Sequence, residues 1–208
     1  MSTPGRYRLA LVAALAASPL GCAFFTKGDP VVIRYFTPET LATRPDSSAV
    51  AMAMRGVASD LRLGRVNSAS YVRDRIAFRD KNFEVGYYDE LRWTEKPEAY
   101  LRRALGRALF EEQGVRQIIS GPGPTLDVDL DAFEELRFPR HAARMQVTWA
   151  LHDDQQVQHE ETFTVERPIP AGASGPNAIA AAMAEAFDES VRRIVTRVTS
   201  AMSQPTAP

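Results

Sequence analysis

The sequence has a single cysteine, at position 22, and no long apolar run. One cysteine excludes an internal disulfide and any zinc site built from several thiolates. No run of roughly 18 uncharged apolar residues is present, so the sequence predicts no permanent membrane-spanning helix. Charge of neither sign dominates. The formal net charge of -1 argues against nucleic acid as a partner. With 45% hydrophobic and 25% charged residues, the 208-residue chain has the composition of one globular domain with tails.

The first residues have the pattern of an export signal. Arg6 and Arg8 form a positive leader, an apolar run follows over residues 9–17, and Cys22 comes shortly after that run ends. A short positive region followed by a brief apolar region is typical of a signal peptide and too short for a spanning helix. The sequence therefore predicts a protein that is exported.

The residues around Cys22 resemble the bacterial lipobox, in which signal peptidase II cuts before a cysteine that becomes lipid-modified. Gly21 and Cys22 fit this pattern, whereas Pro19 and Leu20 depart from the usual leucine and small residue. An ordinary cleaved signal and an uncleaved anchor are the alternatives. Several acyl chains on Cys22 would give a durable membrane anchor, because one chain alone binds only marginally.

The chain is divided accordingly into four segments. We expect a lipoprotein signal peptide over residues 1–21 and a lipidated tether over 22–30. A folded domain is expected over residues 31–202, and residues 203–208, which contain two prolines, are expected to be a disordered tail.

Two alternating runs, residues 71–79 and 83–87, predict a β-hairpin. The alternation places Arg73, Arg75 and Arg79 on one face of the first strand. That face is either simply solvated or forms a rim that meets an acidic partner or lipid headgroups.

Two helices are predicted, together with a second hairpin over residues 145–165. Pro97 is well placed as the first residue of one helix, and Gly114 is placed to close it. Apolar residues at steps of three and four, from Ile179 to Met202, predict a long C-terminal helix whose stripe faces either the core or a partner groove. We expect an α+β fold with a single, mostly antiparallel sheet. Two helices back the sheet, one after the strand that ends at Arg92 and Trp93 and one long and C-terminal.

The residue types that carry catalysis or bind metals are poorly arranged in this sequence. The acidic alternation over residues 127–131 lacks the glycine and the final glutamate of a calcium loop, since Ala132 and Phe138 hold those positions. His152, Asp153, Asp154 and His159 could gather around a metal ion across a hairpin turn, but nothing supplies the second shell that would orient such ligands. We therefore predict no catalytic residue, no metal site and no cofactor.

Four motifs follow one another within residues 61–97. They are Leu-Arg-Leu-Gly-Arg-Val from Leu61, Tyr-Val-Arg-Asp-Arg-Ile from Tyr71, Glu-Val-Gly-Tyr-Tyr from Glu84 and Arg-Trp-Thr-Glu-Lys-Pro from Arg92. This run resembles the ABC-type transport auxiliary lipoprotein family, which includes the paraquat-inducible protein C type. In that family an Arg-Trp pair closes the second strand and a proline opens the helix. The resemblance implies that the family domain spans residues 31–202.

The resemblance implies a non-enzymatic accessory or adaptor of a transporter with MCE-type (mammalian cell entry) components, which move phospholipids or other hydrophobic molecules. The implied partners are an MCE-domain protein and an ABC transporter permease/ATPase complex. The lipid on Cys22 would supply the membrane contact, and homo-oligomerisation would suit a docking ring or cap. Ala23 stands where inner-membrane retention often requires aspartate, so the expected location is the outer membrane, lipid-anchored and facing the periplasm.

Arg92 and Trp93 are candidates for a partner-binding site. Trp93 either packs under the first helix with Tyr87 or Tyr88, or anchors a partner protein, because tryptophan and arginine are favoured at interface hot spots. The candidate partner-binding residues are Arg73, Arg75, Arg79, Arg92 and Trp93. Two other hypotheses stay open: an outer-membrane assembly or scaffold lipoprotein without a transporter, and a lipoprotein hydrolase whose residues meet only in space.

Overall fold

The computed structural model describes residues 31–39, 59–173 and 175–203. The predicted signal peptide, Cys22 and the last five residues lie outside the described residues. The chain divides into residues 1–31 and 32–208, and the fold below belongs to the second unit. Within the described ranges, none of the helices combines the length and apolar character needed to cross a membrane.

The described domain contains eight strands and two helices. The strands are β1 Arg34–Phe36, β2 Asp60–Ser68, β3 Arg75–Arg79, β4 Val85–Trp93, β5 Arg116–Gln117, β6 Thr125–Leu136, β7 Ala142–His152 and β8 Val157–Pro168. The helices are α1 Pro97–Gly106, which continues as a π-helical turn Arg107–Glu112, and α2 Pro176–Ser203.

The sheet is built on β6, its central strand. On one side β6 pairs with β7, and β7 with β8, in long antiparallel ladders. On the other side β6 pairs in parallel with β2 along its first half and with β3 along its second half. Beyond these, β5 pairs in parallel with β2, β4 is antiparallel to β3, and β1 is parallel to β4.

Together β2 and β3 form one interrupted strand along the edge of β6. Ser68 pairs with Leu130 and Ala77 with Glu134, so nine steps along β2 and β3 (77 − 68) correspond to four along β6 (134 − 130). The extra residues, 69–74, form an excursion out of the ladder. The excursion stays attached to β6, because the Ala69 N–H donates to the Leu130 carbonyl at 2.9 Å.

The core lies between one face of the sheet and both helices. Trp93 stacks on Phe133 with ring centroids 5.1 Å apart, and Phe133 contacts Phe187 of α2 with centroids 6.3 Å apart. Leu101 and Leu105 of α1 belong to the same buried cluster. Removing this much apolar surface from water is the main stabilisation of such a domain.

These observations confirm an α+β fold with one sheet and two helices, with Pro97 at the start of α1 and Gly114 (φ 68°) just after its π-helical end. The sheet is mixed, however, and not simply antiparallel. The antiparallel ladders of β6, β7 and β8 are the longest, but β1, β2 and β3 each have a parallel partner. The alternation of single strands carries no information about these long-range pairings.

The opposite face of the sheet is polar, and we call it the open face. Along β7 the residues that alternate with the core residues are half-buried, and along β8 several of them are exposed. Thr148 and Thr162 hydrogen-bond each other there at 2.8 Å, and Thr148 donates to Asp131 at 2.7 Å.

Candidate functional site

Three of the predicted arginines come together on the open face of the β3–β4 hairpin. In the β3–β4 ladder Arg75 lies opposite Arg92, and Arg79 lies four residues further along β3. Tyr71 and Tyr87 lie among them, and the Tyr87 hydroxyl donates to the Tyr71 carbonyl at 2.9 Å. We call these five residues the arginine surface.

Arg75 and Arg92 converge on one backbone carbonyl. Nη2 of Arg75 donates to the Tyr88 oxygen at 3.2 Å, and Nη1 of Arg92 donates to the same oxygen at 3.0 Å. Arg75 also pairs with Asp89 at 2.6 Å and lies 5.4 Å from the Tyr87 ring centroid. Arg92 donates otherwise to the Leu91 carbonyl, and among the described residues it pairs with no carboxylate.

Arg79 has a buried counter-ion. Its Nε lies 2.8 Å from Oε1 of Glu134, whose side chain is fully buried, and Arg144 of β7 binds the same oxygen. The hydrogen bond to Glu134 raises the pKa of Arg79, and burial beside this pair raises the pKa of Tyr71. The buried ion pair therefore fixes the position of Arg79, whereas none of the carboxylates of the described residues holds Arg92.

Trp93 lies on the other face of the sheet. Its side chain is 2% exposed and stacks on Phe133 at an interplanar angle of 22°. This position matches the packing interpretation of Trp93, although its ring partner is Phe133 rather than Tyr87 or Tyr88.

The prediction that Arg73 lies on the first strand of the hairpin is wrong. β3 begins at Arg75, and Arg73 belongs to the excursion, where its Nε donates to the Ser70 carbonyl at 2.8 Å. It lines a hollow together with Lys96 and Glu98 at the start of α1. The alternation in the sequence continues through this turn, so it gave no sign that the ladder breaks there.

A second buried carboxylate, Glu135, was missed by the sequence reasoning. It accepts a hydrogen bond from the Tyr88 hydroxyl at 2.5 Å and lies 2.6 Å from Nε2 of His141 and 3.2 Å from Nε of Arg137. Burial, reinforced by this hydrogen bond, raises the pKa of Tyr88 to about 12. Two consecutive glutamates in a strand place one carboxylate on each face, and this signal could have located the cluster.

The described residues were compared with the arrangements that hold metal ions or activate a serine. Ranges 31–39, 59–173 and 175–203 contain no cluster of His, Cys, Asp and Glu that could hold a metal ion. His141 pairs with Glu135, and His152 lies 3.5 Å from Asp127, but neither histidine hydrogen-bonds a serine. Exposed guanidinium edges beside tyrosine rings are suited to binding carboxylates or phosphates.

The domain is thus a mixed eight-stranded sheet packed against two helices, with arginines on its open face. The comparison with family models identifies the family. The model of the ABC-type transport auxiliary lipoprotein component matches residues 40–195, so the chain belongs to that family. Membership of this family indicates a membrane-anchored envelope protein that assists an ABC transporter. The comparison with curated proteins gave no match.

Solved structures share the fold. A crystal structure of a protein from Xanthomonas campestris is 24% identical and has a TM-score of 0.67, covering 81% of this chain and 95% of its own. An uncharacterized protein is 13% identical with a TM-score of 0.62, covering 80% of this chain and 99% of its own. A hypothetical protein from Chlamydia trachomatis is 9% identical with a TM-score of 0.51, covering 71% and 99%.

Proposed function

We propose that this protein is a non-enzymatic adaptor of an ABC transport system with MCE-type components, which moves phospholipids or other hydrophobic molecules. Its partners would be an MCE-domain protein and the permease/ATPase complex. The observation that carries the adaptor role is membership of an auxiliary lipoprotein family, and the arginine surface is the site that we assign to the partner.

We infer the location of the protein from Cys22 and the residue after it, Ala23. Acyl chains on Cys22 would hold the domain at a membrane, and Ala23 in place of aspartate favours the outer membrane, facing the periplasm.

The arginine surface would bind an acidic segment of the partner. The Arg75 side chain is 37% exposed, and Arg92 donates only to backbone carbonyls among the described residues. Both guanidinium groups therefore have donors left for carboxylates, and Arg73 is exposed in the excursion that precedes β3. Charged side chains of this kind set the specificity and rate of association more than its strength. Buried Trp93 would support the surface from beneath.

The test is crosslinking and co-purification from membranes with charge-reversed variants. Arg75→Glu with Arg92→Glu should lower recovery of the transporter component about tenfold, because like charges then face each other across the interface. Arg192→Glu with Arg197→Glu is the matched control. It changes the net charge equally on α2, where both arginines are more than half exposed.

Each outcome has a separate meaning. Equal recovery with both double variants would remove the arginine surface from the proposal and leave the adaptor role. Repeated recovery of the wild-type protein without any transporter component would overturn the adaptor role and favour a scaffold lipoprotein. The same crosslinks would show whether the protein forms homo-oligomers.

A further inference from the structure

One end of the sheet carries two exposed phenylalanines. Phe83 is 90% exposed in the 3-10 turn between β3 and β4, and Phe138 is 59% exposed in the turn between β6 and β7. Arg79 pairs with Leu136 in the parallel ladder, so the two turns lie at the same end of the sheet. We call it the phenylalanine end.

The backbone of Phe83 has a φ of 64°, in the left-handed region that bulky residues rarely adopt. The Asp80 carboxylate accepts a hydrogen bond from the Lys81 N–H at 2.7 Å, and Arg79 donates to the Phe83 carbonyl at 3.4 Å. These bonds fix the turn with the ring in solvent, where it adds nothing to the core. Backbone strain of this kind persists only where the surrounding structure maintains it, and here it keeps an aromatic ring on the surface.

The two turns at this end have a net positive charge. Residues 80–84 and 137–141 contain three cations, Lys81, Arg137 and Arg140, against two acids, Asp80 and Glu84. Arg140 is 80% exposed, although it pairs with Glu166 at 3.0 Å. The opposite end differs, since its turn over residues 153–156 contains two aspartates and no cation. Anionic headgroups attract exposed lysine and arginine side chains near a membrane surface.

The first strand of the domain begins at its end nearer to the phenylalanine end. β1 runs parallel to β4 with Arg34 opposite Leu91, so Arg34 is the residue of β1 that lies nearest to the β3–β4 turn. Arg92 pairs with Arg75, and Arg79 at the turn is four residues further on. β1 therefore begins about 13 Å from the phenylalanine end.

The segment between the anchor and β1 is short and apolar near the domain. Val32 and Ile33 are 73% and 47% exposed. Cys22 is twelve residues before Arg34, a contour of at most ~40 Å.

We propose that the phenylalanine end lies against the lipid bilayer. Phe83 and Phe138 enter the interface, while Lys81 and Arg140 meet anionic headgroups. The inference rests on the proposed lipidation of Cys22, which brings the domain to the membrane. In this orientation the turn over residues 153–156 points away from the bilayer.

The test uses the mature lipidated protein in vesicles of phosphatidylethanolamine and phosphatidylglycerol, with a brominated lipid as quencher. Tryptophan replaces Phe83 in one variant (Phe83→Trp). In the control it replaces Val157, 57% exposed at the opposite end (Val157→Trp). Wild-type protein, with Trp93 and Trp149 both buried, supplies the background emission. The added emission should be lost to the quencher for Phe83→Trp and retained for Val157→Trp.

Equal quenching at both positions, or quenching at neither, in protein that floats with the vesicles would overturn the orientation. Protein that does not float and carries no acyl groups by mass spectrometry would instead overturn the lipidation, and the orientation with it. Phe138→Trp gives an independent reading from the second turn if Phe83→Trp does not fold, and its emission should be quenched as well. Absence of quenching there would contradict the proposal.

Discussion

Glu134 and Glu135 are consecutive residues with opposite surroundings. Glu134 faces the open side of the sheet, where two guanidinium groups hold it as an ion pair. Glu135 faces the other side and is held by a phenol, an imidazole and Arg137. Because a buried carboxylate without partners is strongly destabilising, both residues fix the neighbouring strands in register.

Glu134→Gln should destabilise the domain by about 3 kcal/mol, because it leaves Arg79 and Arg144 without their buried counter-ion. Glu166→Gln on β8 is the control, since among the described residues the Glu166 carboxylate pairs only with exposed Arg140. That change should cost less than about 1 kcal/mol. Urea unfolding followed by circular dichroism measures both, and equal losses would show that burial of Glu134 is energetically unimportant.

Because the pKa of Tyr88 is raised, we expect the free energy of unfolding to fall in alkali. Its pKa is raised from 10.0 to about 12, so the folded protein holds the phenol proton more tightly than the unfolded chain. This contribution is complete below pH 10 and is lost as the pH rises from 10 towards 12. In Tyr88→Phe the free energy of unfolding should change less over that interval, after a loss of about 1.5–3 kcal/mol at neutral pH from the missing hydrogen bond. Tyr87→Phe is the control, and an unchanged alkaline slope in Tyr88→Phe would refute the assignment.

At the scale of elements, the β3–β4 hairpin depends on a close approach between Gly86 and Phe78. A methyl group at position 86 would overlap the Phe78 ring, whereas one at Gly106 of α1 meets nothing within 4 Å. Gly86→Ala should therefore destabilise the domain by about 1–3 kcal/mol. Gly106→Ala should stabilise it by about 0.5–1 kcal/mol through helix propensity. Thermal unfolding of the two variants should shift in opposite directions, and a shift of the same sign would contradict the packing.

The elements differ in how far the sequence could predict them. The β7–β8 hairpin and both helices rest on local periodicity and on Pro97 and Gly114, so they could be read directly. The parallel docking of β2 and β3 on β6 could not, because it depends on contacts between distant residues. The pair Arg79–Glu134, 55 residues apart, illustrates why the candidate site was only half predicted. The arginines could be named, but their partners could not.

The sequence alone also could not decide which of Arg92 and Trp93 faces the core. Alternation shows that Arg92 and Trp93 face opposite sides of β4, but only the position of Phe133 shows which side is the core. The same alternation wrongly extended β3 back to Arg73, since a turn of polar and apolar residues can imitate a strand.

For the whole molecule, the anchor carries the clearest prediction. Cys22→Ser should leave the precursor unprocessed and without acyl chains, because signal peptidase II acts before a lipid-modified cysteine. Radiolabelled fatty acid should enter the wild-type protein and not the variant. Label in the variant, or processing at the normal site, would contradict lipidation at this residue.

The interrupted edge formed by β2 and β3 bears on the order in which the domain is assembled. β3 can pair with β4 through a short turn, but among the described strands β2 pairs only with β6 and with two-residue β5. β6, β7 and β8 are linked by short turns, so their ladders form by closing short loops. Pulsed hydrogen exchange during refolding should accordingly protect β6–β8 before β2, and simultaneous protection would speak against this order. If the chain is exported amino terminus first, β2 then stays unpaired until β6 has emerged, which suits passage through a translocation pore as an extended chain.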